Sequence, residues 1–181
     1  LIVTVTRDGK DVAVEMAPNK YPITSVDSRM IGDIGYIRIR SFNATTAAQF
    51  KAAYTSLIDG GAQGIVLDLR NNPGGSLSAA KEIAAFLLPS GRYGYYADKK
   101  GKTELTSDSV YQMSVISATI INRNTAGEAE LLAAALSQAQ MTTLVGEPSA
   151  GRSYVQEYFP ITADKSAVKL TVGQLFLLDG Q

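Results

Sequence analysis

The run Gly64-Ile65-Val66-Leu67-Asp68-Leu69 passes at once into Arg70-Asn71-Asn72-Pro73-Gly74-Gly75, and from Ser76 to Leu88 the pattern turns helical. A short apolar run, β-branched at its start, reads as a strand buried on both faces, and such a strand needs a layer of structure on each side. Proline followed by two glycines extends neither a strand nor a helix, so a sharp turn is forced between them. The same grammar returns later: Val115 to Ile121 reads as a strand, Ala129 to Ala139 as a helix and Thr142 to Val145 as a strand. Strands alternating with helices make an α/β layered domain.

Around this frame, Leu1 to Glu15 forms two alternating runs about Asp8-Gly9, a β-hairpin signal. A lone hairpin buries too little surface to be stable, so it must pack on something else or belong to a larger domain. Pro18 and Pro22 open an extended linker to Met30, and Ile34 to Ile39 alternates as a half-buried strand. Ala44 to Ile58 carries Ala47, Phe50, Tyr54, Leu57 and Ile58 at helical spacing, with Asn43 as its N-cap. Tyr93 to Tyr96 and Glu104 to Thr106 read as a strand pair around Asp98-Lys99-Lys100-Gly101, the tyrosines packing across the sheet. Val168 to Leu178 gives one or two further strands, and Asp164-Lys165-Ser166 a surface turn.

Composition removes whole classes of chemistry. With 17 basic and 17 acidic residues the net charge is zero, which argues against nucleic acid as a partner. The chain has no His and no Cys, so a Ser-His-Asp triad, a thiol nucleophile, a disulfide framework and a Cys/His zinc site are all excluded. No metal or other cofactor is expected. Hydrolysis would have to use Ser, Thr, Lys, Tyr or carboxylates. No apolar run approaches the roughly 20 residues that span a bilayer.

Three strand-to-turn segments are where an α/β protein places ligand chemistry. In the first, the amides of Gly74 and Gly75 at a helix start can converge on one point, with no side chain to keep a substrate oxygen away; this suits an oxyanion hole. The second is Asn122-Arg123-Asn124-Thr125-Ala126-Gly127-Glu128-Ala129-Glu130, and the third Gly146-Glu147-Pro148-Ser149-Ala150-Gly151-Arg152-Ser153-Tyr154-Val155-Gln156.

In this order the segments resemble the C-terminal processing, or tail-specific, peptidases, Ser-Lys serine peptidases of the S41 kind. The family pattern D-L-R-x-N-P-G-G is met from Asp68 to Gly75, N-x-G-[ST]-A-S-A-S-E at Asn122, Thr125, Ala126 and Glu130, and G-E-x-x-x-G-K-G-x-x-Q at Gly146, Glu147, Gly151 and Gln156. Ile34 to Phe42 and Lys169 to Gln174 are similar to two further family strands. The resemblance implies an α/β core of the crotonase-like or ClpP-like kind over residues 19–181. The hairpin within residues 1–18 then looks like the last strands of a PDZ domain. It also implies an unstructured polypeptide or protein C-terminus as partner and a place outside the cytoplasm, and leaves a homo-oligomer open.

The same alignment puts the family's nucleophilic serine on Gly127 and its general-base lysine on Arg152, 25 positions apart. Glycine carries no nucleophile, and a guanidinium stays protonated and cannot act as a base near neutrality. The expectation is a catalytically degenerate relative that still binds peptide. Thr125 is the alternative nucleophile if the motif shifts by two residues, and a non-catalytic scaffold is a third reading. Gln156, which in the family helps orient the lysine, would then hydrogen-bond Arg152. Glu128 either answers the helix macrodipole or pairs with Arg152 across the site. Asp68 and Arg70 are expected to form a local ion pair.

Overall fold

The computed structural model describes residues 2–17, 23–108 and 116–180. Pro18, Pro22, Val115 and the expected boundary between residues 18 and 19 lie outside them. The hairpin is present as β1 (Ile2–Arg7) and β2 (Lys10–Glu15), turning at Asp8-Gly9 and forming a two-stranded sheet of its own. Its residues are almost all exposed.

The core is a five-stranded sheet, ordered β3-β4-β5-β8-β9. Its strands are β3 (Val26–Ile31), β4 (Ile34–Ile39), β5 (Gly64–Asp68), β8 (Ile116–Ile121) and β9 (Thr143–Gly146). β3 runs antiparallel to β4, and the other neighbours are parallel. The segment read as an extended linker to Met30 is thus an edge strand. Its Asp27, Ser28 and Arg29 hide the alternation, because an edge strand with one wet face has little need of apolar residues. Central β5 is buried along nearly its whole length, as an apolar run demands.

The helices α1 (Thr46–Asp59), α2 (Leu77–Leu87) and α3 (Glu128–Gln138) follow β4, β5 and β8. α1 starts at Thr46, with Thr45 as its N-cap residue; Asn43 instead accepts hydrogen bonds from the Thr45 N–H and hydroxyl, closing a turn just ahead of the helix. Phe50 and Tyr54 meet Phe86 of α2 edge-on, with ring centres 6.2 and 5.6 Å away. Fully buried side chains such as Phe50, Ile37, Leu67 and Ile83 each contribute about 1.5–3 kcal/mol through removal from water.

A second, antiparallel sheet is ordered β10-β11-β6-β7. It comprises β6 (Gly91–Asp98), β7 (Gly101–Ser107), β10 (Tyr154–Ile161) and β11 (Ser166–Phe176). β6 and β7 are the expected pair, and Tyr95 stacks on Phe176 of β11 at 5.0 Å. β10 was not foreseen: Tyr154 to Ile161 mixes polar and apolar residues without clean alternation, since most of the strand is exposed on both faces. α3 touches both sheets, packing against β9 on one side and β6 and β11 on the other.

Candidate active site

Parallel strands β5, β8 and β9 end side by side, with Asp68 paired to Ile120 and Ile121 to Gly146. Their carboxyl ends therefore deliver residues 69–76, 122–127 and 147–153 to one rim of the sheet. A dense set of bonds fuses the three loops. The Ala126 N–H donates to the Asn72 carbonyl at 2.9 Å, and Asn71 is tied to both Asn122 and Asn124. The Ala150 N–H reaches the Thr125 carbonyl at 2.9 Å, and an exposed Arg123–Glu147 ion pair closes the far side.

Buried Asn72 shapes the glycine turn: its amide donates to the Ile39 carbonyl at 3.0 Å and its Oδ1 accepts the Gly74 N–H at 2.9 Å. Gly75 has φ +142°, and a Cβ there would run into the Phe42 carbonyl oxygen. That contact, not turn chemistry alone, requires glycine. Asp68, fully buried, accepts from the Tyr36 hydroxyl at 2.6 Å and from the Arg70 guanidinium at 2.6 Å, so the expected local pair forms. Burial pushes its carboxyl up, but hydrogen bonds from Arg70 and Tyr36 outweigh that and hold it below the usual carboxylate value.

Gly127 is the N-cap of α3, with φ +61° and ψ −126°. These angles are strained for residues with a Cβ and mark the sharp strand-to-helix elbow on which hydrolases mount a nucleophile. Glu130 holds the elbow in place. Its carboxylate accepts the N–H groups of Gly127 at 3.0 Å, Gly151 at 2.6 Å and Arg152 at 2.8 Å, joining the second loop to the third. The Gly127 N–H also reaches the Arg152 carbonyl at 2.8 Å. A Cβ built on Gly127 would meet nothing closer than 3.7 Å, so there is space for a side chain at the elbow.

Gly127, Arg152 and Gln156 line one cleft of about 610 Å³, together with Tyr154 of β10 and Lys169 of β11. Two contacts that the sequence left open do not form. Glu128 does not pair with Arg152; it turns inward, only 3% exposed, and its Oε2 accepts the Gly75 N–H at 2.8 Å. A backbone amide meets the buried carboxylate without the desolvation of a cation, whereas Arg152 is exposed. Gln156 bonds Thr171 on the neighbouring strand at 3.4 Å, because β10–β11 pairing sets the two side by side.

Thr125 is fully buried, its hydroxyl donating to the Leu69 carbonyl at 2.9 Å and accepting the Asn122 N–H at 3.0 Å. It pins β5 to the second loop and is not among the residues lining the cleft. Sequence reasoning missed Asn72 and Glu130 as positioning residues and Lys169 as a cleft amine. Asn72 and Glu130 sit in motif positions and Lys169 opens a family-like strand, but only the pairing of β10 with β11 shows that this strand lies at the rim.

Comparison with known proteins agrees with this geometry. The family model of peptidase family S41 matches residues 33–181. A carboxyl-terminal-processing protease of Synechocystis sp. is 36% identical over 149 residues, covering 82% of this chain and 35% of that protein. Carboxy-terminal processing protease CtpA of Bacillus subtilis is 35% identical over 166 residues, covering 88% of this chain and 35% of its own length. Among solved structures, the photosystem II D1 C-terminal processing protease superposes with a TM-score of 0.73 at 27% identity, over 94% of this chain and 48% of that one. The chain thus spans about a third of the length of these sequence relatives.

Proposed function

We propose a function from one premise: the chain belongs to peptidase family S41. It is the core of a C-terminal processing peptidase that binds the end of an unstructured polypeptide in the cleft beside Gly127 and does not cleave it. One observation carries this reading: the residue with the backbone of a nucleophile elbow has no side chain. Arg152, at the position of the family's base, adds to it, since a guanidinium does not accept a proton near neutrality. The glycine turn, the elbow and the third loop, bonded into one rim beside the cleft, support the binding part of this reading.

Within this reading residues 19–181 form the peptidase core, of the crotonase-like or ClpP-like kind, and residues 1–18 contribute the last strands of a PDZ domain. The separate two-stranded sheet of β1 and β2 supports that division. A setting outside the cytoplasm belongs to the same reading; the relatives include a bacterial and a chloroplastic processing protease, and no helix among the described residues is long and apolar enough to cross a membrane.

The test is incubation of the purified chain with a casein-like unfolded protein and with labelled peptides ending in apolar residues. Binding without any new amino terminus is the expected result. Sustained cleavage that disappears in Thr125→Ala would defeat the degenerate reading in favour of a displaced nucleophile. A chain that neither binds nor cleaves would leave a scaffold role.

A further inference from the structure

The Gly75 N–H points to where a substrate oxygen would sit, yet a side chain of the same molecule already holds that place. The Glu128 carboxylate accepts the Gly75 N–H at 2.8 Å, and it lies so close to Gly74 that a Cβ there would strike Oε2. Glu128 directly follows the elbow residue. In hydrolases with a nucleophile elbow, the N–H of that position and a second backbone N–H from a neighbouring loop together make the oxyanion hole. The two corresponding amides here are those of Glu128 and Gly75, and the oxygen bonded to the Gly75 N–H belongs to Glu128.

We propose that the Glu128 carboxylate is an internal ligand of this amide pair, standing where the carboxylate or carbonyl oxygen of a bound chain end would otherwise be held. The substrate class in this statement rests on the peptide-binding reading above; the occupancy does not. Chemistry favours the assignment. A carboxylate 3% exposed is costly unless its charge is met, and the groups that meet it are donors suited to an oxyanion. Burial raises its pKa above the ordinary value, while the Gly75 and Glu128 N–H groups and the charge of Lys169 on β11 oppose that rise. A Cβ on Gly127 would stand 3.7 Å from the Gly74 Cα, so the elbow faces the same glycine turn that Glu128 occupies. The plug is therefore a second block on catalysis, separate from the absent dyad.

The experiment follows backbone amide resonances of the ¹⁵N-labelled chain. In the wild type, the Gly75 resonance should move with the ionisation of Glu128; a Gly75 resonance that stays flat while Glu128 titrates overturns the proposal without any variant. In Glu128→Ala, sodium acetate should shift the Gly75 amide at a concentration about tenfold lower than in the wild type, as expected for gaining a charge-assisted hydrogen bond. A folded Glu128→Ala whose Gly75 amide ignores acetate also overturns it. Glu128→Gln, whose side-chain carbonyl can still accept from Gly75, should stay insensitive. The last arm compares a peptide with a free carboxylate and the same peptide with a terminal amide. Acetate response with no peptide binding in any variant keeps Glu128 as the plug and removes the peptide reading instead.

Discussion

At the scale of single residues, the proposed function and the proposed plug rest on Gly127, Arg152 and Glu128, each by a different means. On those proposals Gly127 supplies no nucleophile, Arg152 supplies no base, and Glu128 fills the donors that would stabilise a transition state. Restoring Gly127→Ser and Arg152→Lys together is therefore insufficient. The triple variant that adds Glu128→Ala should hydrolyse a peptide substrate about 100-fold faster than the double variant, the scale on which oxyanion-hole donors act. Equal rates, read by release of a fluorogenic leaving group, would show the hole is already open. The serine itself costs stability, because φ +61° at position 127 is strained for any residue with a Cβ; Gly127→Ser should lower folding stability by about 1–3 kcal/mol in urea melts.

Elements set the geometry these residues need. The elbow is rigid because the Glu130 carboxylate gathers three N–H groups from α3's start and from the third loop. Glu130→Ala strips all three of their partner and should destabilise the fold by about 2–3 kcal/mol, with hydrogen exchange rising first at Gly151 and Arg152. Inside the helical layer the opposite holds. The Tyr54 hydroxyl of α1 is buried without a hydrogen-bond partner among the described residues, so Tyr54→Phe should be neutral or stabilising by about 1 kcal/mol in the same melts. A loss of more than that would mean a partner does reach the hydroxyl in solution.

For the whole molecule, two buried carboxyls pull stability in opposite directions as pH changes. Asp68 sits below its usual 3.8, so its contribution is present above that pH and is lost as pH falls through the lowered folded value. Glu128 sits above its usual 4.5; the native state holds that proton more tightly than the unfolded chain, so stability declines as pH rises from 4.5 through the folded value. In urea midpoints measured against pH, Asp68→Asn should flatten the acid limb and Glu128→Gln the decline above 4.5. Unchanged limbs would exclude these groups as the source. Much of the architecture was legible because it rests on local pattern. The buried run of β5, the glycine turn after it and the helical spacing of α1, α2 and α3 announce themselves within a dozen residues. β3 and β10 did not, since exposed strands need no apolar alternation. So the sequence alone determined the layered α/β frame, the family and the side chains absent from positions 127 and 152, all of them properties of residue type and short-range order. Tertiary structure alone decided that Thr125 is sealed under Leu69, that Lys169 reaches the cleft and that Glu128 turns to Gly75. The first and last depend on which distant backbone group comes within 3 Å, as when Glu128 meets a donor 53 residues earlier in the chain, and the second on which strand pairs beside β11.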